Sequence, residues 1–270
     1  MWVIKITWTY DFFVKNSDLF LRIMNYRWEQ GLEEAKWIVK ILEMNDIFEG
    51  KILDIMCGNG RHALYLAEKG YDVIGLDISP IFIEDATLKA KKMNLEENVK
   101  FLVGDFRQLN NVVRNYAPFD AIINFWTSIG YYGEEADIML FKNARRVIRD
   151  NGLFILADTI SKESLLSDFH PFTYVEFPDL LILHFAEYDP LSSKLNDLWR
   201  IYEKKDDSWI FRGAVKINLR VYSLGEIVSI LRKTGWTLIA AYDSIIGLTP
   251  LRHDSKINIV AKATSGHSDY

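Results

Sequence analysis

The chain has 270 residues, 49% of them apolar, and a formal net charge of −5 at pH 7. This suffices for one large α/β domain, or one domain with an elaboration, and the mild negative charge argues against a broad nucleic-acid surface. A single cysteine, Cys57, excludes an intrachain disulfide, and no apolar run is long enough to span a bilayer. The aromatic N-terminus MWVIKITWTYDFF lacks the charged start and small-residue cleavage site of a leader, so a soluble cytoplasmic protein is expected. The polar end TSGHSDY reads as a frayed tail with His267 solvated in it.

From Tyr10 to Phe48 the apolar spacing is helical, with Leu19, Ile23 and Tyr26 and later Trp37, Ile38, Ile41 and Leu42 on one side. These helices precede the sheet and can lie across its ligand crevice. Tyr10, Tyr26, Arg27 and Trp28 are the groups there that can close over a cofactor, and aromatic packing with an exposed arginine is the plainer alternative. The stretch KILDIMCGNGRHALYLAEKGYDVIGLD, Lys51 to Asp77, then organises the chain. Ile52, Leu53 and Ile55 mark a buried parallel strand, and Gly58 and Gly60 permit a sharp turn against a ligand. Ala63, Leu64, Leu66 and Ala67 give a helical stripe ending at Gly70. Val73 to Leu76 is the next strand, and Asp77 closes it. This is a βαβ nucleotide-binding unit with an acid placed to hold ribose hydroxyls.

Gly58, Gly60 and Ala63 satisfy the G-x-G-x-x-G/A pattern of a dinucleotide site, a weak signal alone. Asp54, four residues before Gly58, distinguishes the ligands. A carboxylate there repels a pyrophosphate and attracts the sulfonium and ammonium groups of S-adenosylmethionine (SAM). Capping of the turn's own amides is its structural alternative. Cys57 reads as a small packing residue beside the turn rather than a nucleophile.

Ser79-Pro80 starts the next helix, with Phe82, Ile83, Ala86 and Ala90 on its buried face. Val99 to Val103 is a third strand. Gly104-Asp105-Phe106 ends it with an acid and an aromatic suited to an adenine amino group and ring, or equally to a helix N-cap and a core phenylalanine. Phe119 to Phe125 is a fourth strand, leading into the segment from Asn124 to Tyr132 beside the expected crevice. Glu134 to Ile148 is an amphipathic helix, and Leu153 to Ala157 a fifth strand ending at Asp158. Between Ser161 and Tyr222 a short helix precedes about four alternating strands: Phe172 to Phe177, Leu181 to Tyr188, Leu195 to Lys204 and Trp209 to Val221. Their period-two pattern predicts an antiparallel insert that covers the substrate or pairs with another subunit. A helix from Leu224 and strands at Trp236 to Tyr242 and Ile257 to Ala263 complete the chain.

These residues resemble the class I SAM-dependent methyltransferases, and most closely the small-molecule branch of glycine/sarcosine and amino-sugar N-methyltransferases. ILDIMCGNGRHALYLAEKGYDVIGLDIS is similar to the first two cofactor motifs, GDFRQL to the third and FDAIINFWTSIGYYGEEAD to the fourth. RVIRDNGLFILAD departs from the usual proline and paired glycines at Asp150-Asn151-Gly152, and RVYSLGEIVSILRKTGW with DSKINIVAKA looks like the branch with an antiparallel insert. The resemblance implies a Rossmann-like α/β fold: a seven-stranded sheet with its last strand antiparallel, N-terminal helices and an inserted antiparallel sheet. The SAM-binding domain would comprise residues 1–160 and 223–265, with 1–48 as a helical cap and 161–222 as the insertion.

By the same resemblance, Asp54 and the backbone of Cys57, Gly58 and Gly60 hold the methionine part. Asp77 and Ile78 lie at the ribose, Asp105 and Phe106 at the adenine, and Asn124 near the sulfonium, with Tyr26 closing from the cap. Related chains often place an arginine where this one has Gln30, so Arg27 or Arg61 substitutes toward the cofactor carboxylate.

The expected activity is direct methyl displacement onto a nitrogen or oxygen of a small metabolite. It needs alignment and exclusion of water, and no metal. Trp126, Tyr131, Tyr132, His170, Arg220 and Tyr222 are candidates for the substrate pocket; none is singled out as a base, since a neutral amine needs none. The scattered histidines offer no metal-ligand spacing. An RNA or protein methyltransferase, a non-catalytic SAM-binding regulator and an NAD-dependent oxidoreductase are the alternatives, and a homodimer through the insert is a further expectation.

Overall fold

The computed structural model describes residues 8–264, so His267 and the first seven residues lie outside it. Helices α1 (Trp8–Tyr10), α2 (Ser17–Tyr26) and α3 (Trp28–Glu43) come first, with a π-helical turn over Asp11–Lys15. Ala35, Ile38, Ile41 and Leu42 of α3 are buried at helical spacing and meet Ala63, Leu64 and Ala67 of α4 (Arg61–Glu68). Around them five strands run parallel: β1 (Lys51–Ile55), β2 (Asp72–Asp77), β3 (Val99–Val103), β4 (Phe119–Phe125) and β5 (Ile148–Thr159). The helices α5 (Pro80–Lys92), α6 (Leu109–Val112) and α7 (Glu134–Val147) join them. Ser79 caps α5 through its hydroxyl, with Pro80 in the first turn, as that dipeptide predicts.

After β5 come α8 (Lys162–Ser167), β6 (Phe172–Glu176), β7 (Leu180–Asp189), β8 (Lys194–Lys205) and β9 (Ser208–Arg220). The chain then returns through α9 (Leu224–Lys233), β10 (Trp236–Ser244), β11 (Thr249–Pro250) and β12 (Ile257–Ala263). The large sheet has the order β11-β10-β12-β5-β4-β1-β2-β3, with β12 antiparallel to both β5 and β10. This is the expected Rossmann-like sheet with its last strand antiparallel. An eighth strand, the two-residue β11, pairs with the edge of β10. β5 also starts earlier than the sequence suggests, because Ile148 already pairs with Phe119 before the Asn151-Gly152 turn.

The insert forms a separate antiparallel sheet of order β6-β7-β8-β9. Alternate residues Leu180, Ile182 and Ile201 face inward and bury Leu19 and Ile23 of α2. Arg22, one turn from Leu19, ties the same helix to Asp179 and Glu203. The first helices are thus held between the carboxyl ends of the parallel strands and the inserted sheet.

Candidate functional site

The turn after β1 is set by backbone conformations that side chains resist. Met56, Gly58 and Gly60 have φ of 60, 56 and 78°, in the left-handed region. The amide of Gly58 donates to Asp77 Oδ2 and that of Ser79 to Asp77 Oδ1, both at 2.9 Å, which fastens the end of β2 to the glycine turn. Burial pushes the Asp77 carboxyl up to about 6 despite these donors.

A crevice of about 820 Å³, counted to its mouth, opens over this turn. Asp54 lies in its wall, 2% exposed, and its Oδ2 has no hydrogen-bond partner. Burial drives this carboxyl up to about 7, the neighbouring Asp77 adds to the effect, and Arg61 with the Ala63 amide opposes it. Arg61 lines the same crevice, and its Nε is also buried without a partner. Its guanidinium lies 4.1 Å from the ring of Trp126 and 3.8 Å from Glu34 Oε2. The arginine stem crosses α3 at Gly31, where a Cβ would come within 2.2 Å of Arg61 Cδ. Burial lowers the Arg61 pKa against the attraction of Glu34, Asp54 and Asp158. Behind it His62 donates from Nε2 to Glu34 at 2.8 Å, its own pKa lowered by burial, so it is a neutral prop for that glutamate.

Farther along the wall, Asp105 is held by the amide and guanidinium of Arg107, and Phe106 lies 5.6 Å from Tyr132. Phe13, Phe20 and Met24 close the crevice from the N-terminal helices. Its features are therefore an unpartnered carboxylate oxygen beside an unpartnered guanidinium N–H, a second acid at the end of β2, and an apolar slot beyond them. Such a set offers the acceptors and donors that an α-amino acid zwitterion joined to a nucleoside would need.

Residues 52–152 match the family model described as a methyltransferase domain. This stretch is similar to methyltransferase domains. The Bacillus subtilis (strain 168) protein YqeM is 30% identical over 143 residues, 53% of each chain. The glycine/sarcosine N-methyltransferase of Parasynechococcus marenigrum (strain WH8102) is 30% identical over 138 residues, 48% of this chain and 47% of its own. The chain thus spans about half the length of the curated relatives it matches. Among solved structures, a SAM-dependent methyltransferase from Clostridium acetobutylicum ATCC 824 superposes with a TM-score of 0.74 at 16% identity, covering 86% of this chain and 92% of that one. An amino pentose methyltransferase from Micromonospora echinaspora gives 0.67 at 14% identity over 90% and 96%. At these identities the structures establish a shared fold.

Within the matched stretch, Asp54, Cys57, Gly58, Arg61, Asp77, Ile78, Asp105 and Phe106 all line the crevice. The Cys57 thiol is buried, which raises its pKa and leaves it an inert packing group. Gly60 stands outside the lining: its left-handed turn starts α4, and a Cβ there would meet the Phe101 ring at 2.7 Å. Asn124 lies behind the wall, donating to the Ile55 carbonyl at 2.8 Å and so tying β4 to β1. Tyr26 is elsewhere, stacked on Phe177 at 4.9 Å with its hydroxyl on Asp179.

Of the expected substrate residues, Trp126, Tyr131 and Tyr132 line the crevice. His170 is exposed and paired with Asp168. Arg220 turns to Glu226, and the Tyr222 hydroxyl is buried against Asp137 at 2.6 Å. Phe13, Phe20 and Met24 line the crevice although the sequence reading did not name them as site residues; their helical spacing marks only a buried face.

A second, more open chamber of about 1060 Å³, counted out to its mouth in solvent, adjoins the crevice and shares Phe13, Phe20, Trp126 and Tyr131 with it. The inserted sheet supplies its far wall through Leu195, Asp197, Trp199, Ile217 and Leu219. Trp126, Thr127 and Asp158 have φ of 70, 51 and 47°, so backbone strain is concentrated where β4 and β5 end beside this chamber. Among the described residues no His, Cys, Asp and Glu cluster is placed to hold a metal ion, and no helix is long and apolar enough to cross a membrane.

Proposed function

We propose that the protein transfers a methyl group from SAM to a nitrogen or oxygen of a small metabolite held in the second chamber. The observation that carries this reading is the pair of buried unsatisfied groups, Asp54 Oδ2 and Arg61 Nε, on residues that line the first crevice, an acceptor and a donor suited to an amino-acid zwitterion. SAM, when bound, supplies an activated methyl group on a sulfonium. The residues that would hold it are Asp54 and Arg61 at the amino-acid end, Asp77 at the ribose, and Asp105 and Phe106 at the adenine.

What remains for the chain is orientation and exclusion of water. Trp126 and Tyr131 wall both cavities, and Phe13 and Phe20 cover them from the N-terminal helices. The insertion at 161–222 is read as the substrate cover of a domain made from 1–160 and 223–265. Burial raises the Tyr131 phenol pKa, so it serves as a wall and a hydrogen-bond donor rather than a base. An amine acceptor reacts through its own lone pair in this setting.

Calorimetric titration with SAM, S-adenosylhomocysteine and NAD tests the cofactor, and release of S-adenosylhomocysteine from SAM in a metabolite extract tests transfer. Binding of NAD alone would sink the proposal. SAM binding without turnover on any acceptor pool would leave a regulator instead.

A further inference from the structure

The second chamber carries a recognition group that its surroundings do not explain. Asp197 lies on the inward face of β8, in the phase of Leu195, Trp199 and Ile201, where the alternation calls for an apolar side chain. Its cross-strand neighbours are Ala186 on β7 and Ile217 on β9. One carboxylate oxygen, Oδ2, accepts from His184 Nδ1 at 3.0 Å and from Trp199 Nε1 at 2.6 Å. The other, Oδ1, is buried and has no partner. It belongs to the only residue lining this chamber that carries such an orphaned polar atom among the described residues.

Of the other charges lining the chamber, Lys256 and Asp158 neutralise each other, whereas Arg27 meets only uncharged groups and keeps its positive charge. Lys256 pairs with Asp158 at 2.5 Å, and Arg27 lies 5.2 Å from the Trp126 ring with a hydrogen bond to Gln30. Asp197 lines the chamber with its orientation fixed by two donors, and its second oxygen, covered as the side chains stand, is left to be satisfied by an N–H-bearing cation when the chamber is filled.

We infer that Asp197 anchors an amine of the methyl acceptor, whose apolar, aromatic-sized body fills the rest of the chamber. His184 and Trp199 act as positioning residues for that carboxylate. This rests on the methyltransferase reading for the word acceptor, while the anchoring itself does not require the cofactor.

The test is calorimetry on the full chain with two probes of matched shape and opposite charge, tryptamine and indole-3-propionate, each with and without saturating S-adenosylhomocysteine. Tryptamine is expected to bind and indole-3-propionate to bind at least about tenfold more weakly, as loss of a charged hydrogen bond implies. Asp197→Asn, which keeps the shape, should cost tryptamine about tenfold or more and leave S-adenosylhomocysteine affinity unchanged. Equal binding of the two probes, preference for the carboxylate, or no binding of the amine overturns the inference, and does so on the wild-type chain even if the variant fails to fold. A chain that binds tryptamine through Asp197 but no S-adenosylhomocysteine retains the anchor and loses the cofactor reading.

Discussion

Lowering the pH should loosen the cofactor through Asp54, and the size of the effect follows from its burial. The free protein holds this carboxyl at about 7, against an ordinary value of 3.8. The folded state therefore keeps a proton that the unfolded chain gives up above about pH 4. Between about pH 4 and 7 the unfolded chain binds fewer protons, so stability contributed by this group falls as pH rises, by about 4 kcal/mol in all, and is flat above 7. Binding runs the other way, since the ammonium of SAM needs the ionised carboxylate. At pH 8 Asp54 is roughly nine-tenths ionised and at pH 6 roughly one-tenth, so affinity should drop about tenfold, or about 1.4 kcal/mol. Asp77, held at about 6, adds about twofold at pH 6, and the ligand's own amine also titrates. Both contributions persist in Asp54→Asn, so the ratio of wild-type to variant affinity isolates Asp54. Calorimetric titration with SAM from pH 6 to 8 measures it. A ratio that stays constant across that range would refute the contact between Asp54 and the ammonium.

Three further substitutions separate the roles of neighbouring groups. Gly31→Ala should raise helix propensity by about 1 kcal/mol, yet its Cβ would stand within 2.2 Å of Arg61 Cδ, so S-adenosylhomocysteine affinity is expected to fall about tenfold. Calorimetry decides, and unchanged affinity would remove Arg61 from the cofactor site. Gly58→Ala must hold φ of 56° and displace Met24 Sδ from 2.7 Å. Chemical denaturation should show a loss of about 1–2 kcal/mol, with weakened SAM binding. Tyr222→Phe removes the hydrogen bond to buried Asp137 and should cost about 1–3 kcal/mol of stability while leaving SAM affinity and turnover intact. A loss of turnover at unchanged stability would instead return Tyr222 to the substrate pocket.

The reading of Lys51 to Asp77 carried through to the structure because its signals are local. A buried strand, glycines at a left-handed turn and a helical stripe each depend on residues within a few positions, and Asp54 is placed by the strand that contains it. Tyr26 shows where such signals stop. Helical spacing puts it on a particular side of α2, but its partners, Phe177 and Asp179, come from the insert some 150 residues away. Tyr222 fails to reach the cavities for the same reason, since Asp137 on the distant α7 claims its hydroxyl, whereas Arg220 is turned away by the nearby Glu226 at the start of α9. Asp197, which the reading of the sequence did not single out, is an acid in the apolar phase of an alternating strand. Only the pairing of β7, β8 and β9 shows that the phase faces a chamber rather than solvent.

The two cavities divide the chain in a way that bears on how acceptor preference can change. Among the described residues, none of those lining the first crevice comes from 161–222, whereas Leu195, Asp197, Trp199, Ile217 and Leu219 line the second. On the proposed reading, cofactor recognition belongs to the parallel strands and N-terminal helices, and acceptor recognition is shared with the insert. Trp126 is the principal residue common to both: it faces Arg61 at 4.1 Å on one side and lies with Phe20 in the second chamber on the other. Its left-handed backbone at φ 70° is held by a hydrogen bond that its amide N–H donates to the Ala157 carbonyl near the end of β5. A substitution in the insert should therefore alter which acceptor binds without moving cofactor affinity, whereas replacing Trp126 should disturb both together, because its ring is a wall that neither chamber can lose alone.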